Sequence, residues 1–298
     1  MAEKKDFPSI QKLFQDAWGL FKKTWVSYLK LLGLSIAFVF LGALIGVIIA
    51  LPISFIGISS HFQLFRHLTP FNISILVLLA AWTIIYLLSI IAMGVSVSIV
   101  SIYILQGKKA ASIIDLIKQS KRFFWPYFLT TLLTALLVLG GSMLLVIPGL
   151  LIGFFLCFVG YEVVIDEKSG VTALKRSYVM IRSHFWEVLG RLILLEVGII
   201  IVMSVLQRLA TGDPLLGLVQ FLFSLFVSWF ARSYIFLLYK EVHAKTTFPD
   251  KASLLWIWIV AVIGWVVILL LTFVVVPQLS HLAGMHQNHL RSASHHTV

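Results

Sequence analysis

The sequence predicts an all-α, polytopic transmembrane helical bundle of about seven spans, six plus one C-terminal, with three inner-side amphipathic interfacial helices. Three observations carry that prediction. The first is composition: of 298 residues 60% are apolar and only 12% charged, and the mean hydropathy is +1.03. A soluble chain is about 25% charged, so water is not the main solvent of this one. The second is run length. A helix rises about 1.5 Å per residue, so roughly 20 apolar residues cross a ~30 Å hydrocarbon core. Stretches free of Asp, Glu, Lys and Arg extend over 31–65, 67–107, 123–161 and 252–290. The third is the segregation of the basic residues that remain, which fall between the apolar spans except for Arg191 and Arg232. These numbers exclude a soluble enzyme, a disordered scaffold and a disulfide framework, since Cys157 is the only cysteine and lies in an apolar run as a small buried thiol.

The first span is predicted at about Leu29–Ile58, closed by Pro52 and then Gly57, and the second at about Ile73–Leu105. The run after Phe123 is too long for one helix, and Pro148 and Gly149 break it and permit a tight turn, giving a hairpin of Tyr127–Ile147 and Leu150–Ile165. Phe185–Leu206 and Leu215–Tyr239 remain apolar although they hold Glu187, Arg191, Glu196 and Arg232, and Gly212, Asp213 and Pro214 separate them. A last span, Leu254–Val276, ends at Pro277, and 277–298 is a flexible, His-rich tail.

Ahead of three of these spans lie amphipathic segments. Ile10, Leu13, Phe14, Ala17, Trp18 and Phe21 make one apolar helical stripe within the 1–28 lead-in. Ile113, Ile114, Leu116 and Ile117 make a rougher arc near 108–122. Val171, Leu174, Tyr178 and Ile181 make a third near 169–183, opposite Lys175, Arg176 and Arg182, with Ser169 as N-cap. Each leads into its span through basic residues and a tryptophan, the pattern of a helix that lies in the membrane surface and then turns in: Lys22, Lys23 and Trp25; Lys121, Arg122 and Trp125; Arg182 and Trp186. One interfacial helix and two spans thus form a unit used three times, with the seventh span appended.

Basic residues accumulate in cytoplasmic loops. Of the 23 Lys and Arg, 18 fall on the side of the N-terminus and only Arg66, Arg208 and Arg291 on the other. The N-terminus is therefore expected in the cytoplasm and the C-terminus outside an inner or plasma membrane, with no cleaved signal. The excess of Lys and Arg over 12 Asp and Glu gives a net charge of +11. Placed between spans, it points to anionic phospholipid headgroups and away from nucleic acid. The residues assigned to that contact are Lys22, Lys23, Lys108, Lys109, Lys118, Lys121, Arg122, Lys175, Arg176 and Arg182.

The stretch 147–189 reads IPGLLIGFFLCFVGYEVVIDEKSGVTALKRSYVMIRSHFWEVL. Its Ile-Pro-Gly hairpin, its apolar helix ending in Val-Val-Ile-Asp-Glu, and the Ala-Leu-Lys-Arg-Ser-Tyr and Phe-Trp that follow resemble the membrane domain of glycerophosphoryl diester phosphodiesterase, a bacterial and archaeal multi-span family. The N-terminal Ala-Trp-x-x-Phe-Lys-Lys-x-Trp is similar to the way those proteins begin. The resemblance covers roughly 10–240 and leaves out the last span and the tail. It implies a helical membrane domain without a chemistry of its own, because the phosphodiesterase activity belongs to a separate soluble barrel for which this chain has no room.

No metal-binding, nucleophile-elbow or phosphate-loop motif occurs, so no cofactor, metal or catalytic residue is expected. The chain is read as non-enzymatic, acting in membrane or lipid homeostasis or as an accessory membrane component. The alternative is a small-solute or ion transporter using the charges of the fifth and sixth spans. Glu196 and Arg232 stand at similar distances from the inner ends of their spans. A charge at mid-bilayer costs at least about 2.5–3.5 kcal/mol, which predicts that they pair and face the bundle interior. Glu162, near the inner end of its span, is read as interfacial or capping. Seven of nine histidines, His61, His67, His281, His286, His289, His295 and His296, are assigned outside without fixed ligand spacing. Small-residue stripes at Gly42, Gly46 and Ala50 and at Gly149, Gly153 and Cys157 are read as intramolecular packing faces, with a homo-oligomer seam as the alternative.

Overall fold

The computed structural model describes residues 8–59, 70–107, 113–210, 214–249 and 253–273. His61, His67, Lys108, Lys109 and the tail from 274 lie outside the described residues. Among the described residues there is no strand. The helices are α1 (Ile10–Ser59), α2 (Pro70–Leu105), α3 (Ile113–Leu144), α4 (Val146–Phe155), α5 (Val159–Ile165), α6 (Gly170–Ser183), α7 (Phe185–Ala210), α8 (Pro214–Lys245) and α9 (Leu255–Phe273). Seven stretches are long and apolar enough to cross a membrane, with α4 and α5 together making one of them. The chain is a polytopic helical membrane protein.

The chain forms two compact units. Met1–Phe128, Val164–Asp166 and Phe185–Lys245 make the first, and Leu129–Val163, Glu167–His184 and Thr246–Val298 the second.

In the first unit α1 packs on α8 along its N-terminal part and on α2 further on. Leu13, Ala17, Phe21, Thr24, Tyr28 and Leu31 are buried at helical spacing. Their partners are aromatic: Phe14 meets Tyr234 at 4.9 Å between ring centres, Phe21 meets Phe226 at 4.4 Å, and Tyr28 stacks on Trp229 at 4.0 Å. The predicted lead-in is therefore not a separate helix. It is continuous with the first span over 50 residues, about 75 Å at 1.5 Å per residue, because basic residues between Phe21 and Leu31 do not break a helix whose apolar stripe continues through them. Where α1 meets α2, Gly42 and Gly46 admit rings. A Cβ on Gly42 would stand 2.9 Å from Tyr86 Cδ2, and one on Gly46 would stand 2.8 Å from Trp82 Cζ3. Tyr86 then donates its hydroxyl to the Val39 carbonyl at 2.8 Å.

The lead-in before the third span is likewise fused to it, since α3 runs on through Pro126. Only the third lead-in stands apart, as α6, bounded by Ser169 and His184. Ser169 occupies the N-cap position in an extended conformation, with no side-chain capping bond. Leu174, Tyr178 and Ile181 of its stripe are buried as the periodicity requires, whereas Val171 is 41% exposed and Ala173, Ser177 and Met180 complete the buried face.

In the second unit the hairpin turn falls at Leu145, ahead of the Pro-Gly pair. Pro148 sits inside the first turn of α4, where its missing N–H costs no helical bond. Gly149 supplies close approach, because a Cβ there would lie 2.7 Å from the Ser142 backbone nitrogen. The following span breaks at 156–158 into α4 and α5. Ser177, fully buried on α6, compensates for the break: its hydroxyl donates to the Phe155 carbonyl at 2.9 Å and accepts the Phe158 N–H at 3.3 Å. Broken helices survive in lipid where side chains satisfy the freed backbone groups in this way. Cys157, read as buried, is exposed in that break, between the buried Leu156 and Phe158.

The seventh span is built in, not appended. Gly140 of α3 and Gly264 of α9 bring the two backbones together, and a Cβ on Gly264 would lie 2.7 Å from the Gly140 carbonyl carbon. Trp265 donates its ring N–H to the Leu136 carbonyl at 3.1 Å, and Trp256 donates to the Tyr178 hydroxyl at 3.1 Å.

Candidate functional site

The charges on α7 and α8 are the natural place to look for chemistry. Val188, Arg191 and Leu195 form the buried stripe of α7, at i, i+3 and i+7. Glu187 and Glu196 fall outside that stripe and are exposed, and Arg232 is half-buried. Among the described residues Glu196 and Arg232 form no ion pair. The expected clasp is corrected by helical phase: the two residues match in position along their helices, but one step of about 100° past Leu195 turns Glu196 away from the buried side. Arg191 does face inward. Its guanidinium donates to the Glu187 and Pro8 carbonyls, each at 3.0 Å, and so ties the start of the chain's first helix to α7. Both of these partners are backbone acceptors, and neither is the carboxylate of Glu187.

Two acidic side chains have partners that the sequence pattern did not assign to them. In the second unit Glu162 is completely buried and pairs with Arg176 of α6, whose guanidinium also lies over the Phe248 ring at 3.8 Å. This changes two expectations: the Glu162 side chain is buried inside the protein, and Arg176 is engaged there with it instead of being left for a headgroup. In the first unit Asp166 and His243 Nε2 are 2.7 Å apart. No spacing rule links these partners in sequence, so only a buried acid flanked by an aromatic-basic helix could have flagged them.

Of the residues assigned to anionic lipid, Lys22, Lys23, Lys118, Lys121, Arg122, Lys175 and Arg182 are exposed. Lys22 lies 5.4 Å from the Trp18 ring centre, and Arg182 reaches the Tyr178 hydroxyl at 3.3 Å, so neither is held by an acid. Basic side chains lying along aromatic rings keep their charge at the surface while burying their stems.

The first unit also contains a cavity of about 230 Å³ between α1 and α8. Its lining is carbon-rich: Phe21, Trp25, Tyr28, Leu29, Leu222, Leu225, Phe226 and Trp229. The ring N–H of Trp229 on its wall is satisfied internally. Trp229 donates its ring N–H to Thr24 Oγ1 at 3.1 Å, and that hydroxyl donates to the Leu20 carbonyl at 2.8 Å. None of Glu187, Arg191, Glu196 or Arg232 lines it.

No protein-family model, no curated protein and no solved structure matches the chain.

Proposed function

We propose that this chain is a non-enzymatic integral membrane protein whose inner face holds anionic phospholipid, serving membrane or lipid homeostasis or supporting another membrane component. The supporting observation is the exposure of Lys118, Lys121, Arg122, Lys175 and Arg182 on helices that lead into spans, with Trp125 and Trp186 exposed beside them. Each Lys or Arg beside an anionic leaflet contributes about 1 kcal/mol, so five of them acting together make a substantial attraction. The likeness of 147–189 to the phosphodiesterase membrane domain agrees with this reading, since Glu162, Arg176, Ser177 and Tyr178 of that stretch are engaged in holding the second unit together. A cytoplasmic N-terminus follows from the same basic asymmetry. The transporter alternative has less support, because Glu187 and Glu196 are exposed and do not line the cavity between α1 and α8.

The test replaces Lys118, Lys121, Arg122, Lys175 and Arg182 together by Gln and counts the anionic phospholipid that stays with the purified protein. A fall of several-fold in retained phosphatidylglycerol, with phosphatidylcholine unchanged, is the expected result; equal retention by the variant would overturn the proposal.

A further inference from the structure

The cavity between α1 and α8 is closed on one side by Tyr28 and Trp229, whose rings are stacked at 4.0 Å and within 10° of parallel. With the Trp229 ring N–H bonded to Thr24, this wall is almost wholly carbon. Apolar cavities without polar partners do not hold water. The mouth is formed by Trp25, Leu29 and Leu222, which are 41%, 40% and 56% exposed. On helices that span a membrane, what lies outside such a mouth is hydrocarbon. Lys22 precedes Trp25 by three residues and Leu29 by seven, which puts it on the same face of α1 as the mouth. It has no acidic partner among the described residues. The site therefore combines a dry, aromatic slot with one uncompensated cation at its N-terminal edge.

We infer that this slot binds one acyl chain of an anionic phospholipid, with Lys22 meeting the phosphate. The inference deepens the inner-face reading and rests on it for the sidedness of Lys22. The slot selects hydrocarbon because burial of apolar area is its only source of affinity. The cation selects the anionic lipid, since a zwitterionic headgroup carries its own ammonium and leaves Lys22 uncompensated. Other lysines attract lipid in general, whereas this site would hold a single molecule.

The full-length protein is reconstituted in phosphatidylcholine vesicles containing small fractions of phosphatidylglycerol or phosphatidylcholine brominated on the acyl chains, and tryptophan emission is followed. Bromine quenches on contact, so brominated phosphatidylglycerol is expected to give a saturable quench at low mole fraction that brominated phosphatidylcholine does not. Equal quenching by the two lipids at every fraction would overturn the site without any mutation. Leu222→Trp fills the slot, and native mass spectrometry should show the bound phosphatidylglycerol reduced at least tenfold. Lys22→Gln should leave chain binding but remove the preference for phosphatidylglycerol. The variant with five inner-face charges neutralised separates the two proposals. Loss of the tightly held lipid in that variant but not in Leu222→Trp would overturn the slot, while its retention there and loss in Leu222→Trp supports it.

Discussion

Removing either member of the Glu162–Arg176 pair tests how the second unit is held together. The Glu162 side chain is fully shielded and that of Arg176 is 20% exposed, so the two ends of the pair are unequal. Arg176→Met takes the guanidinium away from a fully buried carboxylate, a loss that for buried pairs costs about 3–5 kcal/mol. Glu162→Gln leaves a guanidinium that still reaches solvent and still lies on Phe248 at 3.8 Å, so its cost belongs nearer the ~1–3 kcal/mol of an unsatisfied buried polar group. The double variant removes both charges and should recover much of the loss, since apolar replacements of buried pairs are often neutral. At roughly 2 °C per kcal/mol for a chain of this size, melting in detergent should fall by about 6–10 °C for Arg176→Met and ~2–6 °C for Glu162→Gln. The double variant should melt above Arg176→Met. The assay is thermal unfolding followed by size-exclusion chromatography of the survivors. Single variants that melt within a degree of the parent, or a double variant whose loss equals the sum of the singles, would refute the assignment of the pair as a buried, coupled clasp.

Two further outcomes follow from backbone approach and helical phase. Gly264→Ala places a methyl group against the Gly140 carbonyl carbon at 2.7 Å, where backbone cannot yield, and should destabilise by at least the ~1–3 kcal/mol of overpacking. Gly198→Ala meets nothing within 4 Å and should be neutral or gain up to about 1 kcal/mol from helix propensity; equal melting of these two variants would show that α3 and α9 do not pack as described. For the exposed Glu196 and half-buried Arg232, Glu196→Gln, Arg232→Gln and the double variant should shift melting additively, and rescue of one substitution by the other would restore the ion pair that the structure lacks.

Span number was legible because it depends on run length alone, which any packing must respect. The α6 stripe was legible for the same reason: Leu174, Tyr178 and Ile181 repeat at helical spacing whatever they meet. What the sequence hid were choices that neighbours make. Placing Glu196 required knowing which face of α7 is buried, and that face is set by Val188, Arg191 and Leu195 packing in three dimensions. The turn was sought at Pro148 because proline ends helices, yet proline is equally at home in a first turn, and the break settled three residues earlier at Leu145. The lead-in before the first span looked separate because its basic residues resemble a boundary. Instead α8 supplies Phe226, Trp229 and Tyr234 to its apolar face, so the helix has no reason to bend away. Gly140 and Gly264 carry no signal in sequence, since each matters only because the other is there.

Several polar residues of 147–189 are committed to the fold. Ser177 mends the break between α4 and α5, Tyr178 receives the Trp256 N–H, and Arg176 neutralises Glu162, all within the second unit. Within the first, Asp166 is matched to His243. A side chain whose hydrogen-bonding capacity is spent on the fold has little left to offer a substrate, and freeing it would cost the interaction it makes. Among the basic residues, those that can act on the surroundings are the ones the fold leaves exposed, such as Lys22, Lys175 and Arg182. Arg176 and Arg182 differ by six positions on one helix, and this criterion separates them: the first is committed to Glu162, while the second, resting on Tyr178, keeps its charge at the surface.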